Sequence, residues 1–339
     1  MSYKLDIPKE FIDNKSILIT GGTGSFGRQM IKTLLENFNP KKLVIFSRDE
    51  FKQSEMQKEY SPDKYKCLRY FIGDIRDKER LMEAFNGVDI IFHAAALKQV
   101  PALEYNPSEA IKTNIYGAEN VIKAAIANSV KKVIAISTDK AVSPVNLYGA
   151  TKLCFEKLFI AANNIVGDKD TKFCILRYGN VFKSRGSVVP LFLEQAKTNK
   201  FTVTDPEMTR FNLTLDNAIN FVLLCSSKML GGEIFIPKLK SYNIIQLCKI
   251  INPKAEIEIT GIRPGEKLHE CMVNSVEIEN CYKCDNYFII LSKTTINISN
   301  DIYLSNYKLE NIRKRESKEE YISGGDMLSD EEIHKLLNN

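Results

Sequence analysis

The chain has 339 residues, of which 44% are hydrophobic and 26% charged, with a net charge of +5. This composition buries a full core in one large domain or two smaller ones, and its charge is too small and too dispersed for a nucleic-acid binder, though it favours an anionic ligand. No run approaches the roughly 18 apolar residues of a membrane span, and "MSYKLDIPKEFIDNKS" has no signal-peptide core, so a cytoplasmic setting without membrane or nucleic-acid partners is expected.

The first predicted strand is "SILIT" at 16–20, which breaks into "GGTGSFG" and the helical "RQMIKTLLENF". Strand-like runs follow at "KLVIFS" (42–47), "YKCLRYFIGD", "DIIFHAA" (89–95), "KKVIAIS" (131–137) and "FCILRYGN" (173–180). Helical stretches such as "PSEAIKTNIYGAENVIKAAIANS" separate them. Unalternated apolar strands divided by helices predict an α/β fold, a doubly wound Rossmann-type parallel sheet covered on both faces. Its ligands belong at the carboxyl ends of the strands.

This domain is placed at 10–182. Past about residue 180 the rhythm loosens, with loops at "SRGSVVP", "TDPEMTRF" and "GIRPGEK". Residues 183–339 are expected to form mainly a smaller α/β substrate-binding lobe and a tail, with about 211–240 returning to the sheet. The mixed-charge tail from residue 309 reads as solvated surface and a short terminal helix. Of eight cysteines only Cys281 and Cys284 form a C-x-x-C, with no second pair to complete a zinc site. No metal is expected, and the thiols read as small hydrophobes.

Gly21, Gly24 and Gly27 stand between a strand and a helix, where glycine permits a tight turn and close approach to a pyrophosphate. At the next strand–helix junction, "SRDEFKQSE", Ser47, Arg48 and Lys52 suit a ribose 2′-phosphate and so NADP, while Asp49 keeps NAD open. Asp74 and Ile75 end the third strand, where an adenine edge can rest.

Tyr148 and Lys152 form a Tyr-x-x-x-Lys pair one helical turn apart, just after the fifth strand. Tyr148 is read as the acid/base for a substrate hydroxyl, and Lys152 as lowering the tyrosine's pKa and holding the nicotinamide ribose. Asp139 and Lys140 end that strand and point to the same crevice. Oxidising an alcohol acidifies the neighbouring C–H, so a base can remove that proton while an acid protonates a departing hydroxyl. Lys140 can serve as base only if its pKa is depressed.

Together these residues carry a resemblance. The stretches "TGGTGSFG", "SRDEFKQSEM", "FIGDIRD", "HAAALKQVP", "KTNIYGAENVI", "STDKAVSPVNLYGATK", "RYGNVFKSRGSVVP", "MTRF" and "GIRPGEKLHE" span roughly residues 16–270. The chain resembles the extended short-chain dehydrogenase/reductases, and within them the configuration-inverting UDP-N-acetylglucosamine 4,6-dehydratases that begin pseudaminic acid synthesis. The resemblance implies that Tyr148 takes the C4 hydroxyl proton as hydride passes to NADP+. Lys140 then removes the C5 proton, Asp139 protonates the departing C6 hydroxyl, and hydride returns to C6 with inversion at C5.

The same resemblance places Thr23, Ser25, Phe26, Ala95, Thr113 and Val181 on the cofactor beside the residues named above. It places Lys98, Asn180, Arg210, Arg263 and Glu266 on the nucleotide sugar, where cations neutralise a diphosphate and Glu266 accepts ribose hydroxyls. It further implies a homo-oligomer, a hexamer being one form. The alternatives are a retaining dehydratase, a UDP-sugar 4-epimerase, or a non-catalytic nucleotide sensor on the same fold. An epimerase needs Tyr148 but has no evident use for the Asp139–Lys140 pair.

Overall fold

The computed structural model describes residues 3–184, 186–292, 299–308 and 311–338. Arg185, within one of the stretches quoted above, and residues 309–310 of the tail lie outside the described residues.

The parallel sheet is built from β1 (Ser16–Thr20), β2 (Lys42–Ser47), β3 (Leu68–Ile72), β4 (Ile90–His93), β5 (Lys132–Thr138) and β6 (Lys172–Tyr178). All five residues of β1 are buried, as an unalternated apolar run in a two-sided sheet requires. The intervening helices are α1 (Ser25–Asn37), α2 (Glu50–Glu59), α3 (Lys78–Ala84), α4 (Val100–Tyr105), α5 (Pro107–Ile111), α6 (Gly117–Ala127) and α7 (Leu147–Ala162). Helix α1 buries Met30, Ile31 and Leu34 at helical spacing. The side chain of Asp49 caps α2 by accepting from the Lys52 N–H, and that of Asn146 caps α7 by accepting from Gly149.

The smaller lobe pairs β7 (Lys200–Val203) with β11 (Glu256–Ile259), β8 (Thr209–Phe211) with β10 (Ser241–Asn243), and β12 (Cys271–Val273) with β16 (Tyr321–Ile322). Its own core holds Phe192, Phe201, Leu247 and Ile333. The main sheet runs β15-β13-β14-β9-β6-β5-β4-β1-β2-β3, where β9 is Glu233–Pro237, β13 Cys281–Lys283, β14 Tyr287–Leu291 and β15 Arg313–Lys314. Strand β9 extends the parallel run and β14, β13 and β15 follow antiparallel.

Besides β9, which lies within the 211–240 stretch expected to return, 281–291 and 313–314 also join the main sheet. The run "YFIIL" is fully buried, but an apolar run alone does not reveal which sheet receives it.

A buried ion-pair network ties this sheet to the lobe. The Arg177 guanidinium on β6 donates to Glu156 of α7 at 3.0 and 2.6 Å, to Glu277 at 2.9 and 2.7 Å and to the Met272 carbonyl at 2.8 Å. Ser137 at the end of β5 donates to the same Glu156 at 2.6 Å. One guanidinium therefore fixes α7 against β5, β6 and the segment after β12.

Candidate active site

The strand order reverses between β1 and β4, and a cleft of about 680 Å³ opens at the carboxyl ends there. At its cofactor end Gly21 has φ +68°, and a Cβ there would lie 3.0 Å from the Ala95 nitrogen. A Cβ on Gly27 would come within 2.4 Å of the Gly22 carbonyl oxygen, so the helix and turn meet only through glycine. The cap at Gly24 brings no side-chain acceptor, leaving the first N–H groups of α1 open to a phosphate. Thr23, Gly24, Ser25, Phe26, Ala95 and Val181 line this part of the cleft. These features fit a dinucleotide. The Thr113 hydroxyl is buried with no protein partner, and Thr113 is not among the residues lining the cleft.

At the rim, Ser47 is buried and its hydroxyl sits 2.9 Å from that of Thr23. Asp49 pairs with Lys52 at 2.6 Å and Asp74 lies 3.7 Å from Arg48. Ile75 is buried against Gly117.

Tyr148 and Lys152 project from α7 into the same cleft as Lys140, Lys98 and Asn180. Burial pushes the Tyr148 phenol up to about 12, while nearby Lys140 and a hydrogen bond with Thr138 act in the opposite direction. The Lys152 Nζ donates to the Ile136 carbonyl at 2.8 Å, and burial pulls its pKa down to about 7.

Asp139 is buried, accepting on Oδ1 from Thr138 at 2.9 Å and from Lys140 Nζ at 3.2 Å. Lys140 also donates to Asn180 Oδ1 at 3.2 Å and to Glu270 Oε1 at 3.1 Å. Burial alone would lower its pKa, but Asp139 and Glu270 outweigh it and hold the amine above its ordinary range. Burial thus depresses Lys152 and Lys98 in this cleft, whereas Lys140 is held above its ordinary range. For Asp139 burial dominates and raises the carboxyl, with Lys140 opposing and Glu270 reinforcing.

The proposed sugar ligands are not all gathered in the cleft. Lys98 and Asn180 line it. Arg210 lies behind Lys140, with Nη1 bonded to the carbonyls of Thr209 and Leu268 and Nε 3.8 Å from Glu270. Arg263 and Glu266 face each other at 3.9 Å on a loop whose Gly265 carbonyl accepts from Asn146 at the start of α7.

Three contributors escape a reading of the sequence. Glu270 contacts Lys140 from 130 positions away. Thr138 touches both Asp139 and Tyr148. Asn114, in a π-turn at Lys112–Tyr116, bridges the Leu97 backbone (2.9 and 2.8 Å) and the Thr151 hydroxyl (3.0 Å), tying the Lys98 loop to α7. Only the stretches "KTNIYG" and "KLHE" hinted at Asn114 and Glu270, and neither carries a spacing rule.

A parallel sheet with this cleft, roofed by a second lobe, has the architecture of an extended short-chain dehydrogenase/reductase. The sequence matches the polysaccharide biosynthesis protein family over residues 17–292, and the chain belongs to that family. It is 55% identical, over 82% of its length and 83% of the relative's, to the inverting UDP-N-acetylglucosamine 4,6-dehydratase of Campylobacter jejuni subsp. jejuni serotype O:23/36 (strain 81-176). It is 44% identical, over 97% of this chain and 96% of the other, to the UDP-glucose 4-epimerase of Rickettsia bellii (strain RML369-C). Among solved structures, Pen from Bacillus thuringiensis aligns with a TM-score of 0.87 at 39% identity, covering 97% of this chain and 98% of that one. No helix among the described residues is long and apolar enough to cross a membrane.

Proposed function

We propose that the chain converts UDP-N-acetylglucosamine to the 4-keto-6-deoxy sugar with inversion at C5, UDP-2-acetamido-2,6-dideoxy-β-L-arabino-hex-4-ulose, as the first step of pseudaminic acid synthesis. The observation that carries this reading is Lys140 lining one cleft with Tyr148 while its Nζ bonds the buried Asp139 carboxylate at 3.2 Å, supported by the name and 55% identity of the Campylobacter relative.

A bound nicotinamide cofactor supplies reversible hydride acceptance, from C4 and back to C6. Gly21, Gly24 and Lys152, which line the cleft, would hold it, with Thr113 as a further candidate. NADP is our choice over NAD, because Asp49 is engaged in capping α2 and pairing with Lys52, and Lys52 itself lines the cleft, with Arg48 at the same strand–helix junction. Tyr148 accepts the C4 hydroxyl proton. Its neighbours Thr138 and Lys140 ease ionisation against the cost of burial. Lys140, once deprotonated, takes the C5 proton, which the C4 ketone has acidified. Asp139, biased toward its neutral form by burial, gives a proton to the departing C6 oxygen, and after hydride reaches C6 the resulting enolate takes a solvent-derived proton at C5 on the opposite face. Lys98, which lines the cleft, is a cation for the diphosphate.

The name of the Rickettsia relative favours a second reading, a 4-epimerase. Epimerisation uses Tyr148 and the cofactor alone and leaves the buried acid–amine pair without work. Incubation with UDP-N-acetylglucosamine and NADP+, followed by NMR of the sugar, separates the two. A C6 methyl doublet supports dehydration; the C4 epimer with an intact hydroxymethyl group overturns it.

A further inference from the structure

We infer that Glu270 is a positioning residue for Lys140: its buried carboxylate fixes the Nζ and keeps the amine protonated in the resting site. The inference rests on the dehydratase reading above.

Glu270 immediately precedes β12, far from Lys140 in sequence, yet its side chain is only 4% exposed and Oε1 lies 3.1 Å from Nζ. Its backbone is clamped on both sides by Ser323, whose Oγ accepts from the Glu270 N–H at 2.9 Å and whose N–H donates to the Glu270 carbonyl at 2.8 Å. Ser323 Oγ in turn donates to the Thr209 carbonyl at 3.1 Å on β8. The carboxylate is therefore presented by two strands of the lobe and is not a mobile surface group. Its second oxygen, Oε2, is buried without a protein partner, a costly arrangement for a group that serves packing alone.

The charges around Lys140 single out Glu270 as the durable anion. From β5 and its following turn comes Asp139, which burial pushes toward neutrality. From β8 comes Arg210, 3.8 Å from Glu270. Lys98 from the loop after β4, Lys267 beside Glu270, and the phenols of Tyr148 and Tyr242 complete the surroundings. Burial opposes ionisation of Glu270, but Lys140 and Arg210 hold its carboxyl below the usual range. An amine with Asn180, Asp139 and Glu270 on its three N–H bonds has a fixed direction and a stabilised charge. The base form is then the minor one at neutral pH, and Glu270 sets how minor.

The test reads the base. Because inversion leaves the product's C5 hydrogen on the opposite face, the exchange followed is that of the substrate: loss of deuterium from C5-labelled UDP-N-acetylglucosamine to H2O, scored where the C5 isotope effect shows proton removal to be rate-limiting. In the wild-type holoenzyme, exchange should rise about tenfold per pH unit between pH 6 and 9 without levelling, as expected for a base protonated throughout that range. Glu270→Gln, which keeps shape and removes charge, should shift this limb down by one pH unit or more and bring a plateau into view. Glu270→Asp, which keeps the charge, should hold the limb at its wild-type position with a lower rate.

A wild-type plateau below pH 7 would overturn the inference without recourse to any variant. So would a Glu270→Gln limb that coincides with wild type, which marks a structural role only. If the wild type forms no 4-keto-6-deoxy product at all, the dehydratase reading itself fails and takes this inference with it.

Discussion

The Nζ of Lys152 reaches from helix α7 to the carbonyl of Ile136, 2.8 Å away on strand β5, two residues before the strand's end at Thr138. The bond holds a buried amine beside Tyr148 at a cost, since burial pulls Lys152 down to about 7. Lys152→Met should lower kcat by about 10²-fold or more. Thermal stability should stay within about 1 kcal/mol of wild type or rise, because a buried charge has been replaced by an apolar chain. Melting curves and steady-state rates on one preparation check both halves; a large loss of stability would mean Lys152 is mainly structural.

Gly179 keeps space for Asp139. A Cβ at this position would lie 2.8 Å from Asp139 Oδ2 and 3.3 Å from the Met272 side chain. Gly179→Ala should displace the carboxylate and slow elimination by about tenfold or more, with cofactor affinity unchanged. Titration of NADPH binding against turnover separates the two. Equal losses in both would contradict this placement.

The Arg177 network predicts a stability effect. Glu156→Gln leaves the buried guanidinium with Glu277 as its one remaining carboxylate partner in the network, and breaking a buried pair typically costs about 3–5 kcal/mol. Urea unfolding at pH 7.5 should report a loss on the order of 3 kcal/mol. A change under about 1 kcal/mol would show that the pair barely exceeds its desolvation cost.

His93 gives the fold a pH dependence. Burial, reinforced by Lys152, pushes its pKa from 6.5 to about 3, and Thr20 Oγ1 sits 2.6 Å from Nδ1. The unfolded chain therefore binds a proton that the folded chain refuses. The stabilisation is complete above pH 6.5 and is lost as pH falls toward 3. Between pH 7.5 and 5 the loss attributable to His93 should be about 2 kcal/mol. His93→Gln should flatten the dependence by that amount relative to wild type; parallel curves would exclude His93 as the cause.

Local signals made the dinucleotide half readable. The Gly21–Gly27 turn and the Tyr148–Lys152 spacing each concern neighbours within seven positions, where chain geometry dictates contact. What sequence did not reveal depends on distant pairings. Glu270 reaches Lys140 only because β12 lies against β16 and beside the turn after β5. The hairpin at 281–291 is not read as strands in the sequence, and its place on β9 depends on the packing of the whole sheet. The expectation of a depressed Lys140 considered burial alone; the adjacent Asp139 first, and then Glu270 from 130 residues away, reverse the direction.

The most direct test of the central claim is incubation of the purified protein with UDP-N-acetylglucosamine in D2O without added cofactor, followed by NMR, with Lys140→Ala in parallel. The account predicts a 4-keto-6-deoxy sugar carrying deuterium at C5 with inverted configuration there, and no such product from the variant. A product that keeps its C5 hydrogen, or a Lys140→Ala enzyme that still dehydrates at the wild-type rate, would contradict it.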